Sequence, residues 1–413
     1  MFSSKLSFIM TAVGAAVGLG NIFRFPYLAM QYGLSFILVY IMLIMVLGVP
    51  LLISEVAFGR GLHKIGRADS NFALLKGLWS ANSLVIMCYY CVLFSFVISA
   101  VFFSYKLSAN GSVSSFGSLV YSESSKPFSA IFLLFAWGAV LLCFGDAKRL
   151  GKISVFSVFC SIFIIVALAF FRGLSNPSAL LPLIKTDFSV LLLPRFWLDA
   201  ASQVFFSLSV AVGVLSAYGG CLKASENIVS CGILIAFFDL AVSLAASVIY
   251  ATVEAKSDGL LSSFSVYPKA FLSFGSLAAP VCFLFYLSVA FLCLDSVFSY
   301  LKSAVLLLFP KHIKSENTAA FLMSLLCGFL GLFLLGNGVH RISFIDTKVT
   351  PVLVLTAGIL EVLFFLRKET KATLFSELNF SSLNSKKSKG FSFLLFILAP
   401  IILVLLLLTE IFL

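Results

Sequence analysis

At 413 residues, 61% hydrophobic and only 11% charged, with a mean hydropathy of +1.13, the chain is too apolar to present a soluble surface. Its net charge of +11 does not point to nucleic acid, because the basic residues form neither a face nor a tail with interleaved aromatics. Membrane topology accounts for them instead.

Apolar runs long enough to cross about 30 Å of hydrocarbon recur along almost the whole sequence. Eleven spans are predicted, at 7–28, 34–56, 80–105, 128–145, 152–171, 198–221, 228–252, 279–308, 317–336, 348–366 and 391–412. With the N-terminus cytoplasmic, the inside segments hold 17 of the 28 lysines and arginines and the outside loops hold 9, while Arg24 and Lys302 fall within spans. That asymmetry is the positive-inside pattern, and an odd number of spans puts Leu413 outside. The first run is too long and too interrupted for a signal peptide, no small-residue cleavage site follows it, and it is expected to be retained. The nine cysteines (Cys88, Cys91, Cys143, Cys160, Cys221, Cys231, Cys282, Cys293 and Cys327) all fall inside predicted spans and read as small apolar fillers. The one CxxC pair, Cys88 and Cys91, lies inside an apolar span and no Cys/His spacing suggests a metal, while His63, His312 and His340 are scattered in loops. The stretch 107–127 is Ser- and Gly-rich and reads as an outer loop, and 367–390 as a basic cytoplasmic linker able to lie along anionic lipid.

Two spans differ from the rest. The first reads TAVGAAVGLGNIFRFPY, with Gly14, Gly18 and Gly20 followed by Asn21, Arg24 and Pro26; the sixth reads ASQVFFSLSVAVGVLSAYGG, with Gln203, Ser207, Ser209 and Gly213. Glycine leaves the backbone unshielded and proline removes an amide donor, and freed backbone groups survive in hydrocarbon only where they line a protein-enclosed cavity. Close packing of small residues also explains Gly14 with Gly18. Yet the interruptions fall at equivalent places if spans 1–5 and 6–10 form an inverted repeat, the pattern that points to a transporter site. Asp239 in span 7 and Asp295 in span 8 add two intramembrane carboxylates, each costing about 2.5–3.5 kcal/mol on insertion scales and each a functional candidate by default.

At GAAVGLGNIFRFPY, continuing through LVYIMLIMVLGVPLLISEVAFGR, the sequence resembles the neurotransmitter:sodium symporter family, in particular its bacterial amino acid transporters. The match is dense over the first sixty residues and continues through shorter anchors in spans 3, 6, 7, 8 and 10. The resemblance implies an all-α polytopic membrane protein of about eleven transmembrane helices in one domain. A first repeat at about 7–172 and an inverted second at about 198–366 would be followed by an extra helix at 391–412, with helices 1 and 6 broken at mid-membrane. It implies alternating access, a bacterial inner membrane, and sodium cotransported with an amino acid. No enzymatic activity, organic cofactor or nucleic-acid partner is expected, and the sequence specifies no oligomeric state.

Carried over residue by residue, a first sodium would take the carbonyl of Ala16 and the side chains of Asn21, Ser207 and Asp239, completed by the substrate carboxylate. A second would take carbonyls of Gly14, Val17 and Leu292 with the side chains of Asp295 and Ser296. These are oxygen ligands throughout, as a hard cation requires. The substrate carboxylate would meet the amides around Leu19 and Gly20 and the hydroxyl of Tyr90, where a half-helix N-terminus favours an anion. Its ammonium would take carbonyls of Ala16, Phe206 and Ser207 with the Ser209 hydroxyl. Gly18 stands where amine transporters of the family carry an aspartate, which favours a substrate with its own carboxylate. Ile86, Phe206, Val212, Ser296 and Tyr300 would line the side-chain pocket, and their apolar character implies a neutral, mainly hydrophobic amino acid.

Arg24 and Asp346 match an outer ion-pair gate. The inner gate does not match: its basic residue would fall ahead of Met1, Phe2 replaces a tryptophan and its acidic partner aligns near Pro310. Val155 also replaces an expected proline in span 5. Tyr40, Gln203, Ser207 and Ser243 match side chains that hold chloride in animal members, and Asp239, one turn from Ser243, implies chloride-independent transport. A proton-coupled permease of the same fold should lack the paired cation sites, and a transporter-like sensor that binds without moving substrate remains a third reading. A channel would need a ring of repeated polar groups, which is missing.

Overall fold

In a computed structural model, the described residues are 5–65, 70–107, 116, 120, 130, 147–253, 263–308, 313–335, 338–378 and 386–412. Predicted span 4 apart from Ala130, with Cys143, His312, Phe2 and Pro310, lies outside them. Among the described residues, seven helices are long and apolar enough to cross a membrane, and eight if the bent first span counts as one. The sixth predicted span is two shorter helices, Pro194–Leu208 and Val214–Gly219, and the ninth is Ile313–Leu335.

Helix ends differ from the apolar runs where packing outside the hydrocarbon extends them. Span 3 begins at Ser70 rather than near 80. Its added turns carry Phe72 and Trp79 into an aromatic cluster with Phe58 and Phe364, at centroid distances of 5.2 Å (Phe58–Phe72), 6.1 Å (Phe58–Trp79) and 5.6 Å (Phe72–Phe364). His63 and His340, expected in loops, sit at the ends of helices Val49–Ile65 and Gly338–Phe344.

The linker after span 10 contains a helix, Lys368–Glu377, that docks on the end of span 2. Arg60 organises the contact. Its Nε pairs with Glu377 Oε2 at 2.6 Å, Nη2 donates to the Glu377 carbonyl at 2.7 Å, and Nη1 donates to the Glu226 carbonyl at 2.7 Å. A buried guanidinium with this many acceptors ties span 2, the loop after span 6 and the linker helix together.

Side chains sort by environment. Phe156, Phe159, Phe163 and Phe170 of span 5, with Phe329 and Phe333 of span 9, are exposed, as a lipid face requires, while Phe8, Phe23, Tyr40, Trp79 and Tyr267 are buried in the bundle. Spans 2 and 6 meet backbone to backbone: a Cβ at Gly59 would stand 1.9 Å from the Ser216 carbonyl, and one at Gly219 2.2 Å from that of Val56. This is the close approach small residues permit between membrane helices.

Candidate functional site

Span 1 breaks where its glycines predict. Helix Lys5–Ala16 ends, and the segment Gly20–Tyr32 continues at 55° to it, opening with a π-turn over Gly20–Arg24. The freed groups find partners. The Gly18 N–H donates to Asn21 Oδ1 at 3.0 Å, the Leu19 N–H to the Tyr90 hydroxyl oxygen at 3.0 Å, and Gln203 Nε2 to the Gly20 carbonyl at 2.9 Å. Tyr267 donates to the Ile22 carbonyl. Tyr90 therefore accepts from the span 1 backbone at the spot where its hydroxyl was expected to meet a carboxylate. Gly18 leaves no room for a side chain, since a Cβ there would stand 2.3 Å from the Tyr90 hydroxyl and 3.0 Å from Ser296 Oγ.

Span 6 unwinds after Leu208. Ser209 and Ala211 have φ of 53° and 61°, Gly213 has 74°, and the helix resumes at Val214. Left-handed backbone at non-glycine residues costs about 1–3 kcal/mol each and persists only where surroundings fix it. Here Glu55 Oε1 accepts from the Ala211 N–H at 2.6 Å, Asn82 Nδ2 donates to the Ala211 carbonyl at 2.9 Å, and Ser83 Oγ donates to that of Val212 at 2.7 Å. Ser209 Oγ donates to the Ala15 carbonyl at 2.9 Å and lies 3.3 Å from the Tyr300 hydroxyl, so it bridges the two broken spans. Glu55, Asn82 and Ser83 were not singled out in the sequence; a carboxylate inside the apolar run of span 2 was the available signal.

Two carboxylates flank the break in span 1. Asp239 is fully buried: Asn21 Nδ2 donates to its Oδ1 at 2.6 Å and Tyr40 to its Oδ2 at 2.8 Å. The Tyr40 hydroxyl lies 2.7 Å from Ser207 Oγ, and Ser243 Oγ accepts from Asn21 at 2.9 Å. The predicted Asn21, Ser207, Asp239, Tyr40 and Ser243 thus meet in one cluster. Gln203 turns away to Gly20, and its Oε1 has no hydrogen-bond partner among the described residues.

On the other side of span 1, Asp295 lies against Gly14, where an added Cβ would come within 3.2 Å of its Oδ2. Ser296 Oγ reaches the carbonyls of Gly14 and Leu292, both at 3.1 Å. The Val17 N–H donates to the Val13 carbonyl at 2.6 Å.

Between the broken spans lies a small hollow lined by Ile86, Phe206, Ser209, Val212 and Tyr300 as expected, and also by Ser202, Phe205, Thr350, Pro351 and Val354. The span 10 residues had no motif to mark them. Ser296 is not among the lining residues. Arg24 and Asp346 stand at its edge with Nε and Oδ2 3.9 Å apart, and Phe206 lies over Gly20, whose Cβ it would meet at 2.5 Å.

Paired mid-membrane breaks around an apolar hollow, each bordered by buried oxygen clusters and a carboxylate, define a secondary transporter rather than an enzyme or a pore. The chain belongs to the Sodium:neurotransmitter symporter family, which it matches over residues 1–112 and 112–413. It is 28% identical to an uncharacterized sodium-dependent transporter of Methanocaldococcus jannaschii, over 88% of this chain and 80% of that one. It is 26% identical to the uncharacterized sodium-dependent transporter YhdH of Bacillus subtilis, over 91% and 90%. A sodium-dependent neutral amino acid transporter of mouse, B(0)AT3, is 29% identical, but the alignment spans only 46% of its length. The fold is that of MhsT, crystallised in complex with L-phenylalanine, with a TM-score of 0.85, 22% identity and 99% of both chains covered.

Proposed function

We propose that the protein imports a neutral, mainly hydrophobic amino acid together with two sodium ions by alternating access, independently of chloride, across a bacterial cytoplasmic membrane. The observation that carries this reading is the placement of Asp239 and Asp295 on opposite sides of the unwound stretch of span 1, each amid oxygen atoms suited to a hard cation. In this reading Ala16, Asn21, Ser207 and Asp239 hold one sodium, and Gly14, Val17, Leu292, Asp295 and Ser296 the other. The amides of Leu19 and Gly20, with Tyr90, receive the substrate carboxylate, and its side chain fills the hollow between Ile86, Phe206 and Val212. A charged side chain there would be desolvated without a partner. The name of the mouse relative, a neutral amino acid transporter, and the L-phenylalanine bound to MhsT agree with this class.

The same reading divides the chain into inverted repeats at about 7–172 and 198–366 plus a last helix at 391–412, with the N-terminus cytoplasmic and the C-terminus outside. Two sodium ions moved through 100 mV contribute roughly 4.6 kcal/mol, sufficient for accumulation on the order of a thousandfold. Arg24 and Asp346 close the outer side. On the inner side, Arg60 with Glu377 and the 2.6 Å contact of the Tyr218 hydroxyl with Ser299 supply closing contacts.

The test is uptake of a labelled amino acid mixture into proteoliposomes with external sodium or potassium. Sodium-driven accumulation of one neutral amino acid is the expected result. Uptake that follows a proton gradient and ignores sodium would sink the assignment of both cation sites, and sodium-dependent binding without accumulation would make the protein a sensor. Tyr90→Phe is expected to weaken equilibrium binding of that amino acid by about tenfold to a hundredfold, the worth of one hydrogen bond to a charged group. Because the variant also leaves the buried Leu19 N–H without its acceptor, a modest fall in thermal midpoint, about 1–3 kcal/mol of stability, should accompany it.

A further inference from the structure

In span 5, Val155 stands where the family resemblance implies a proline. Helix Ala147–Ser175 runs unbroken through Val155, and this places Ser154, Ser157 and Ser161 at i, i+3 and i+7 on one face. All three are buried, and all three point to span 8. Ser154 Oγ donates to Asp295 Oδ1 at 2.5 Å, Ser157 Oγ to Asp295 Oδ2 at 3.1 Å, and Ser161 Oγ to the Ser288 carbonyl at 2.9 Å.

A serine inside a helix ordinarily bonds back to a carbonyl three or four residues earlier, as Ser299 does to Asp295 and Ser288 to Phe285. Ser154 turns outward instead. Ser157 keeps a bond of 3.3 Å to the Ser154 carbonyl, but its bond to the carboxylate is shorter. One hydroxyl therefore sits on each oxygen of Asp295, and the third side of that carboxylate is the span 1 backbone at Gly14.

An ionised carboxylate offers about four lone-pair sites, so two hydroxyl bonds fix its plane and leave acceptor capacity directed elsewhere. Hydrogen bonds from an outer shell of this kind hold a ligating carboxylate in place, and removing them typically costs 10–100-fold in metal affinity.

We infer that Ser154 and Ser157 are positioning residues for the second sodium site: they lock the Asp295 carboxylate between spans 5 and 8 so that its free lone pairs face the Gly14 and Leu292 carbonyls. The inference rests on the sodium reading of that site. It gives the site a third helix, since both bonds to the carboxylate come from span 5.

The experiment is saturation binding of ²²Na⁺ to the purified full-length protein in the Asp239→Ala background, which isolates the Asp295 site. Ser154→Ala with Ser157→Ala is expected to weaken that binding by 10–100-fold, and Ser154→Thr with Ser157→Thr to restore it. Ser161→Ala, which removes a hydroxyl from the same face without touching Asp295, should leave it unchanged and controls for altered helix packing. The thermal midpoint of each variant separates loss of fold from loss of affinity. Binding unaltered by the double alanine variant, or strengthened because the hydroxyls compete with the ion, overturns the inference. Absence of any saturable binding that Asp295→Ala removes overturns the sodium reading itself, and the inference with it.

Discussion

Asp239→Ala is expected to abolish sodium-driven uptake, and Asp239→Asn to retain it only when chloride is present. The carboxylate is fully buried and is met by the amide of Asn21 and the hydroxyl of Tyr40, with Ser207 and Ser243 beside them. A cation placed about 4 Å from a fixed negative charge gains roughly 4 kcal/mol at an effective dielectric near 20, on the order of a thousandfold in affinity. Alanine removes that charge and takes one acceptor each from Asn21 and Tyr40. Asparagine keeps the shape and one oxygen, while the hydroxyls of Tyr40, Ser207 and Ser243 remain as donors for an anion. Chloride would then supply the charge that the side chain had provided. Initial uptake rates measured in chloride and in gluconate decide the matter: an asparagine variant equally active in both would mean that the charge at 239 does not balance the sodium.

Much of this arrangement could be read from sequence because it rests on residue types that lipid forbids elsewhere. Gly18 and Gly20 with Pro26 mark the break in span 1, and Gly213 the one in span 6. Asp239 and Asp295 stand out as carboxylates in apolar runs. What was illegible depends on relations between distant helices. Glu55 sits in a run as apolar as any, and nothing in its neighbourhood names Ala211 as the amide it accepts from. The serines of span 5 have helical spacing, but serine is common in membrane helices and usually bonds to its own backbone, so only the position of Asp295 distinguishes Ser154 and Ser157. Thr350, Pro351 and Val354 enter the cavity because span 10 crosses beside it, a consequence of packing that hydropathy does not encode. Helix ends were misjudged for the same reason: the first turns of span 3 are held by aromatic contacts outside the apolar run, and the linker helix Lys368–Glu377 by Arg60 of span 2.

Glu55→Ala is expected to cost the protein its substrate binding while leaving it folded. Glu55 Oε1 accepts the Ala211 N–H at 2.6 Å in a segment where Ser209 and Ala211 both hold left-handed backbone. Without that acceptor a buried amide is unsatisfied at a cost of about 1–3 kcal/mol, and the strain at 209–211, of similar size, loses the bond that opposes it. The segment can then relax locally while the flanking helices Pro194–Leu208 and Val214–Gly219 stay packed. Relaxation moves Ser209 and Val212, which line the cavity, so affinity should fall by at least tenfold alongside a lower thermal midpoint. Glu55→Gln keeps a carbonyl oxygen in reach of the amide and should recover most of both. Equilibrium binding and thermal unfolding of the two variants separate the alternatives. An alanine variant that binds substrate within twofold of the parent would mean that Asn82 and Ser83, which hold the carbonyls of Ala211 and Val212, suffice to keep the segment unwound.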